Sequence, residues 1–154
     1  MPAGIDIDVQ FAVSADGMPD AGTLRKWAAA ALQEQAKTVE LVIRVVDEAE
    51  ITALNRQYRG KDGATNVLSF PSELPAEVGS ALIGDIVICA PVVARECVLQ
   101  NKSRDAHWAH LVIHGVLHLQ GLDHQTDEEA RLMEAREVRL LGELGFTDPY
   151  GEMA

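Results

Sequence analysis

Three of the five histidines in the chain, His114, His118 and His124, lie in one short stretch and could bind one metal ion. His114 and His118 are four residues apart, so on a helix their side chains share a face. Gly121 follows where that helix is expected to end, because glycine takes the left-handed C-terminal conformation without steric cost. The chain can then turn back and bring His124 to the same ion. Three protein ligands with a fourth position open are typical of a catalytic zinc site, so the sequence predicts one Zn²⁺ per chain.

The other two histidines, His107 and His110, precede this stretch on the same predicted helix. His110, His114 and His118 form a rival triad. Stacked along one straight helix, however, the three side chains would span about 12 Å at 1.5 Å per residue, which is too far for one ion. Neither His107 nor His110 is therefore assigned to the metal, and their roles stay open.

Gly115 separates this pattern from the zinc peptidases, with which it shares the spacing of the first two histidines. Those enzymes carry His-Glu-x-x-His, in which the glutamate is the general base. Gly115 follows His114 at that position, and glycine has no group that can accept a proton. A zinc peptidase remains an alternative that needs a base from elsewhere in the chain.

The full stretch from His114 to His124 reads H-G-V-L-H-L-Q-G-L-D-H. It resembles the signature of the YbeY family of bacterial metal-dependent endoribonucleases, which act in ribosomal RNA maturation and ribosome quality control. Two further blocks occur in the order of that family: residues 58–71, with Y-R-G-K and T-N-V-L-S-F-P, and residues 84–89, G-D-I-V-I-C. The resemblance covers about residues 40–145.

The resemblance implies a hydrolase that cleaves single-stranded RNA, at the 3′ end of the small-subunit ribosomal RNA. The attacking group would be a zinc-activated water or the RNA 2′-hydroxyl. Ribosomal RNA and small-subunit ribosomal proteins or an assembly GTPase are the implied partners, with no role for DNA or a membrane. A ribosome-assembly factor with a purely structural zinc is the alternative without catalysis.

Four cations, Arg44, Arg56, Arg59 and Lys61, are candidate RNA ligands in a chain whose net charge is −11. A general RNA-binding protein is basic overall, so the charge predicts a local basic groove on an acidic body. The resemblance assigns Arg59 to RNA contact or to stabilising transition-state charge, for which a planar guanidinium suits better than an ammonium.

Asp85 lies in a run of apolar residues that is predicted to be a buried strand. A buried carboxylate without a partner is costly. Asp85 could orient a ligand histidine, orient the metal-bound water or cap a neighbouring backbone group. Metal-bound histidines commonly donate their second ring N–H to a carboxylate, so a supporting or structural role is favoured over direct proton transfer by Asp85.

Length and composition predict one domain, residues 1–154, in the cytoplasm. The chain has 47% apolar and 24% charged residues, which is ordinary for a globular protein, and no run reaches the length of a membrane span. Cys89 and Cys97 are given no role.

The periodicity of apolar residues predicts four strands and five helices, with Tyr58 on the buried side of the second helix. This order indicates an α+β fold with one mixed four-stranded sheet backed by about five helices, and a zincin-like His-x3-His-x5-His site. The tail from about Thr147 is expected to fray. The strands are expected at residues 5–13, 39–46, 65–70 and 83–89, and the helices at about 24–36, 47–58, 91–100, 103–121 and 126–145.

Overall fold

A computed structural model describes residues 4–14, 16–32, 39–72, 82–122 and 125–150. The α+β fold and the mixed four-stranded sheet are confirmed, while the zincin-like histidine pattern includes His124, which lies outside the described residues. The strands are β1 (Ile5–Phe11), β2 (Val39–Val46), β3 (Val67–Pro71) and β4 (Leu82–Cys89), and the helices are α1 (Ala21–Ala31), α2 (Glu48–Arg59), α3 (Ala90–Leu99), α4 (Arg104–Leu119) and α5 (Asp127–Glu143).

The sheet has the strand order β1-β2-β4-β3. Strands β1, β2 and β4 run parallel to one another, and β3 runs antiparallel to β4. β2 lies between two neighbours because its β-branched, apolar sequence can be buried on both faces. β3 is an edge strand in this sheet, and that is why it can include Pro71, which has no N–H to donate.

Helices cover both faces of the sheet, and each face has its own apolar core. The larger core joins α1, α4 and α5 to the sheet, and the smaller one lies beneath α2 and α3 around Ile51, Val87 and Val92. α4 is the best-buried helix, since Ile113, Val116 and Leu117 on it have no exposed surface. The helix that carries the histidines is therefore anchored in the core.

The ends of α4 follow the local signals in the sequence. The Ser103 side chain accepts a hydrogen bond of 3.0 Å from the N–H of Ala106, which caps the first turn. Gly121 has φ +98° directly after the helix, and the Leu122 N–H donates to the Leu117 carbonyl at 3.2 Å, which closes the last turn. A capping box formed by Thr126 and Glu129 begins α5.

Two details differ from expectation, and a third is not tested. Tyr58 is 60% exposed rather than buried, although its ring contacts Phe70. Tyr150 makes hydrogen bonds with α5 and α4 although the tail was expected to fray. The predicted end of the first helix falls in residues 33–38, which lie outside the described residues.

Among the residues that the structure describes, no helix is both long and apolar enough to cross a membrane.

Gly115 lies where α4 packs closely against β4. A Cβ atom at this position would lie 3.0–3.2 Å from three side-chain carbons of Ile86, which is fully buried on β4. Ile86 has no space to move away, because the core around it is close-packed. The glycine therefore sets how closely α4 packs on the sheet.

We expect Gly115→Ala to destabilise the protein by roughly 1–3 kcal/mol, because overpacking of the core outweighs the better helix propensity of alanine. Chemical denaturation measures the change in the free energy of unfolding. Gly142→Ala is the matched control, since Gly142 is in α5 with no atom within 4 Å of the added Cβ, and it should stabilise by about 0.5–1 kcal/mol. The double variant Gly115→Ala/Ile86→Val should recover part of the loss, and equal effects of the two glycine variants would contradict the packing argument.

Candidate active site

His114 and His118 lie on one face of α4, at the margin of its buried surface. Both side chains are half-buried, with ring centroids 6.3 Å apart and ring planes at 85°. The neighbouring face of the helix packs on the sheet through Ile113 and Leu117. A rigid helix therefore holds the two imidazoles, as the spacing predicted.

Both histidines open into a cleft of about 500 Å³. The opposite wall comes from the C-terminal end of α2 and its following loop, which contribute Arg59 and Lys61, and from Ser69 of β3. The structure thus brings together four of the residues that the sequence singled out. The described residues that line the cleft are Asn55, Arg59, Lys61, Thr65, Val67, Leu68, Ser69, His114, His118 and Gln125.

The cleft is locally cationic although the whole chain carries a net charge of −11. Arg59 and Lys61 line it, and no aspartate or glutamate does so among the described lining residues. This distribution is the local basic groove that the sequence predicted. It favours an anionic group such as a phosphate in the cleft.

Arg59 is held in place by the edge strand. Its Nη2 donates a hydrogen bond of 2.6 Å to the Ser69 carbonyl, and its Cζ lies 5.8 Å from the centroid of the Phe70 ring. One N–H of the guanidinium is used in this contact, and the others remain within the lining of the cleft. The side chain is therefore positioned before any substrate binds.

The loop that carries Lys61 is fixed by Gly60 and by Asn55. Gly60 has φ +66°, a left-handed conformation that ends α2 and that glycine adopts without strain. Asn55 is buried, and its Nδ2 donates to the Gly63 carbonyl at 3.0 Å. The buried amide thus ties the far side of the loop to the helix.

Arg44 and Arg56 do not reach the cleft. The Nε atom of Arg44, on β2, lies 2.6 Å from Oε2 of Glu50, and the Nε atom of Arg56 lies 3.2 Å from Oδ1 of Asp62. Neither arginine lines the cavity. Their predicted part in RNA binding has no support from their positions.

A residue that the sequence analysis missed, Glu137 of α5, holds the first histidine of the signature. The Glu137 side chain is fully buried, and its Oε2 lies 2.7 Å from His114 Nδ1 and 3.4 Å from His110 Nε2. The hydroxyl of Tyr150 donates to Oε1 at 2.5 Å. Glu137 follows Met133 by four residues and precedes Leu141 by four, so a carboxylate within the apolar stripe of α5 was the available signal.

Glu137 is ionised in this setting. Burial alone would raise its pKa, but hydrogen bonds with His110, His114 and Tyr150 outweigh the burial and hold the pKa at about 2. Burial and the contact with Glu137 likewise raise the pKa of Tyr150, which stays a hydroxyl and a donor. A charged carboxylate can only accept a hydrogen bond, so His114 Nδ1–H is the donor, and the lone pair of that imidazole is then on Nε2.

Asp85 does not have the position that the sequence predicted. Its side chain is exposed, and the burial argument for its role is therefore wrong. Strand alternation places it on the opposite face from Gly84 and Ile86, which face Leu119 and Gly115 of α4. The carboxylate partner of His114 is Glu137.

His107 and His110 lie outside the cleft. His107 is buried, with Nε2 2.8 Å from Glu96 Oε1, and His110 Nε2 lies 3.0 Å from the Tyr150 hydroxyl. Both histidines thus have partners away from the cleft wall, in the packing of α4 against α3 and α5.

The described residues contain no group of three or more histidine, cysteine, aspartate or glutamate side chains arranged to hold a metal ion. His124, the third predicted ligand, lies outside the described residues. The donor chemistry of the other two fits a divalent ion, because imidazole is a common zinc ligand and Glu137 supplies the carboxylate partner that metal-bound histidines commonly have.

Fold and cleft together define a class of protein: a small α+β protein in which the histidines of α4 and the arginine at the end of α2 face one cationic cleft. Comparison with known proteins identifies the family. A model of the endoribonuclease YbeY family matches residues 14–145, and this chain belongs to that family.

Proteins named Endoribonuclease YbeY from Xanthomonas campestris pv. campestris (strain B100) and Stenotrophomonas maltophilia (strain R551-3) are each 53% identical over 153 residues. Each match covers 97% of this chain and 95% of the relative. The chain is also similar to the solution structure of TM1509 from Thermotoga maritima, with a TM-score of 0.57 and 25% identity over 96% of this chain and 99% of that chain.

Proposed function

We propose that this endoribonuclease cleaves single-stranded RNA in the cleft between α4 and the end of α2, with one zinc ion held by His114, His118 and His124. The observation that supports the proposal is the meeting of two distant blocks of sequence. Arg59 and Lys61 come from one block and His114 and His118 from another, yet all four line one cavity. Phosphate-binding cations beside candidate metal ligands suit the hydrolysis of a phosphodiester.

Glu137 prepares His114 for this role. The buried carboxylate accepts a hydrogen bond from His114 Nδ1–H, with an N···O distance of 2.7 Å. This contact sets the tautomer and the direction of the ring and makes Nε2 a more basic ligand atom. A zinc ion bound there would lower the pKa of a bound water and polarise a phosphoryl oxygen.

Arg59 would stabilise the negative charge that builds up on the phosphate during cleavage. Its planar guanidinium pairs with two phosphate oxygens better than an ammonium does. Because the Ser69 carbonyl and the Phe70 ring already hold it, little reorganisation is needed when the substrate binds. Lys61 adds attraction for the strand entering the cleft.

No carboxylate lines the described part of the cleft to act as a general base. Ile86 occupies the space beside Gly115, so α4 has no room for the glutamate that a zinc peptidase uses. The attacking group is then a metal-activated water or the RNA 2′-hydroxyl. End-group analysis of the cleaved RNA separates the two, because only the second gives a 2′,3′-cyclic phosphate.

We infer ribosomal RNA as the substrate, at the 3′ end of the small-subunit RNA, in the cytoplasm. The family resemblance supports this, and so does the net charge of −11, which favours docking on basic ribosomal proteins, or on an assembly GTPase bound to them, over binding to bare RNA. Co-sedimentation with small ribosomal subunits at low salt tests the inference, and its absence would contradict it.

Replacement of Arg59 by glutamate should lower the rate of ribosomal RNA cleavage by at least about 100-fold, since a positioned donor to the transition state is lost and a repulsive charge is added. Cleavage is measured on isolated small subunits with zinc-loaded protein of unchanged melting temperature. Arg131→Glu, the same charge change at an exposed position of α5, should retain wild-type cleavage. If neither wild type nor variant cleaves although zinc stays bound, an assembly factor with a structural zinc becomes the better description.

Glu137→Gln should weaken zinc binding by about 10–100-fold, because amide and imidazole cannot reproduce the charged contact that orients His114. Competition with a chromogenic chelator measures the affinity directly, without reference to cleavage. Glu143→Gln, at an exposed position of the same helix, should bind zinc as the wild type does. A Glu137→Gln protein that folds and binds zinc within two-fold of the wild type would contradict the assigned role.

A further inference from the structure

Tyr58 presents an aromatic ring to solvent beside the cleft. It lies in the last turn of α2 and is 60% exposed. One edge is supported by Phe70, with ring centroids 5.3 Å apart and planes at 64°. Phe70 thus supports one edge of the ring, and the exposed surface of the ring is available for stacking with a planar group.

Phe70 connects this ring to the catalytic cleft. The guanidinium of Arg59 lies over the same Phe70 ring, with its Cζ 5.8 Å from the centroid, and Arg59 lines the cleft. Only one aromatic ring therefore separates Tyr58 from a group that is positioned for phosphate. Neighbouring positions on one RNA strand can contact both.

We propose that Tyr58 is a stacking platform for an unpaired base of the RNA whose phosphate lies at Arg59, and that it thereby selects single strands. This inference rests on the proposed function of the cleft. Stacking on an aromatic ring is available to every base and needs no cation, so it supplies affinity that a chain of net charge −11 does not obtain from phosphates alone. A base held in a duplex cannot offer its face to the ring.

The surroundings favour a base over a phosphate at this position. Asp85 is opposite Phe70 in the register of β3 and β4, and its exposed side chain is on the same face of the sheet as Phe70. A carboxylate there repels a phosphate, whereas it can accept hydrogen bonds from base amino groups. The cationic cleft, which Arg59 and Lys61 line, takes the backbone. Exposed aromatic residues also occur in protein interfaces, and the experiment distinguishes that case.

The test is steady-state cleavage of a fluorescent single-stranded oligoribonucleotide by the zinc-loaded protein at several salt concentrations. Tyr58→Leu keeps an apolar side chain against Phe70 but removes the aromatic face. It should raise KM about ten-fold and leave kcat within two-fold of the wild type. The slope of log KM against log salt should not change. The ratio of kcat/KM for the single strand to kcat/KM for a duplex of the same sequence should become smaller.

Matched variants separate stacking from other contacts. Tyr58→Trp and Tyr58→Phe should retain the wild-type KM, because both keep an aromatic face. Lys61→Ala should instead reduce the salt slope by about 0.7, the value for one phosphate contact on a single strand. Zinc content and melting temperature are measured for each variant.

Three results would overturn the proposal. An unchanged KM in Tyr58→Leu excludes stacking, and if small-subunit binding is lost at the same time, the ring belongs to a protein interface. A reduced salt slope in Tyr58→Leu means that a phosphate contact was removed instead. A Tyr58→Phe variant as impaired as Tyr58→Leu assigns the effect to the hydroxyl. Arg59→Glu in the same assay tests the proposed function of the cleft separately from the stacking role of Tyr58. If this variant cleaves the RNA at the wild-type rate, the cleft is wrongly assigned as the active site.

Discussion

The contact between the Glu137 carboxylate and His114 joins the chemistry of the cleft to the core of the protein. One carboxylate oxygen lies 2.7 Å from His114 Nδ1, and the other accepts from Tyr150. A lone buried carboxylate would be strongly unfavourable, so Glu137 is stable in the apolar stripe of α5 only because these partners are present. The orientation of the imidazole is thereby set by the packing of α5 on α4, and a change anywhere in that helix pair alters the site.

Close packing constrains the same helix from its other side. Gly115 lies against Ile86 of β4, and this contact sets the distance of α4 from the sheet. β3, the next strand beyond β4, holds Arg59 through the Ser69 carbonyl. The separation of the histidines from the arginine is therefore a property of the sheet and its helix layer, and it does not depend on the conformation of a long side chain alone.

Local signals in the sequence were sufficient to predict α4 and the placement of its histidines on one face. They were not sufficient to predict Glu137 as the partner of His114. Ser103, the four-residue spacing of the histidines and Gly121 all act within one element, so their positions could be read in advance. The contact of Glu137 with His114 was not predicted, because it depends on which helix packs on which face, and this is a tertiary property. The prediction that Tyr58 is buried was wrong for a related reason. Periodicity indicates which face a helix presents to the core, but not whether the neighbouring sheet extends far enough to cover that face.

The order of the elements along the chain gives the Glu137 and Tyr150 contacts a consequence for biosynthesis. Every strand and the other four described helices precede α5, so a ribosome has already made the cleft residues before it adds the carboxylate and the hydroxyl that support His114. Until then that imidazole lacks its contact with the Glu137 carboxylate. A nascent chain consequently completes its site last, when synthesis has passed residue 150, and this delays activity in a protein that is made by the RNA assembly it is proposed to cut.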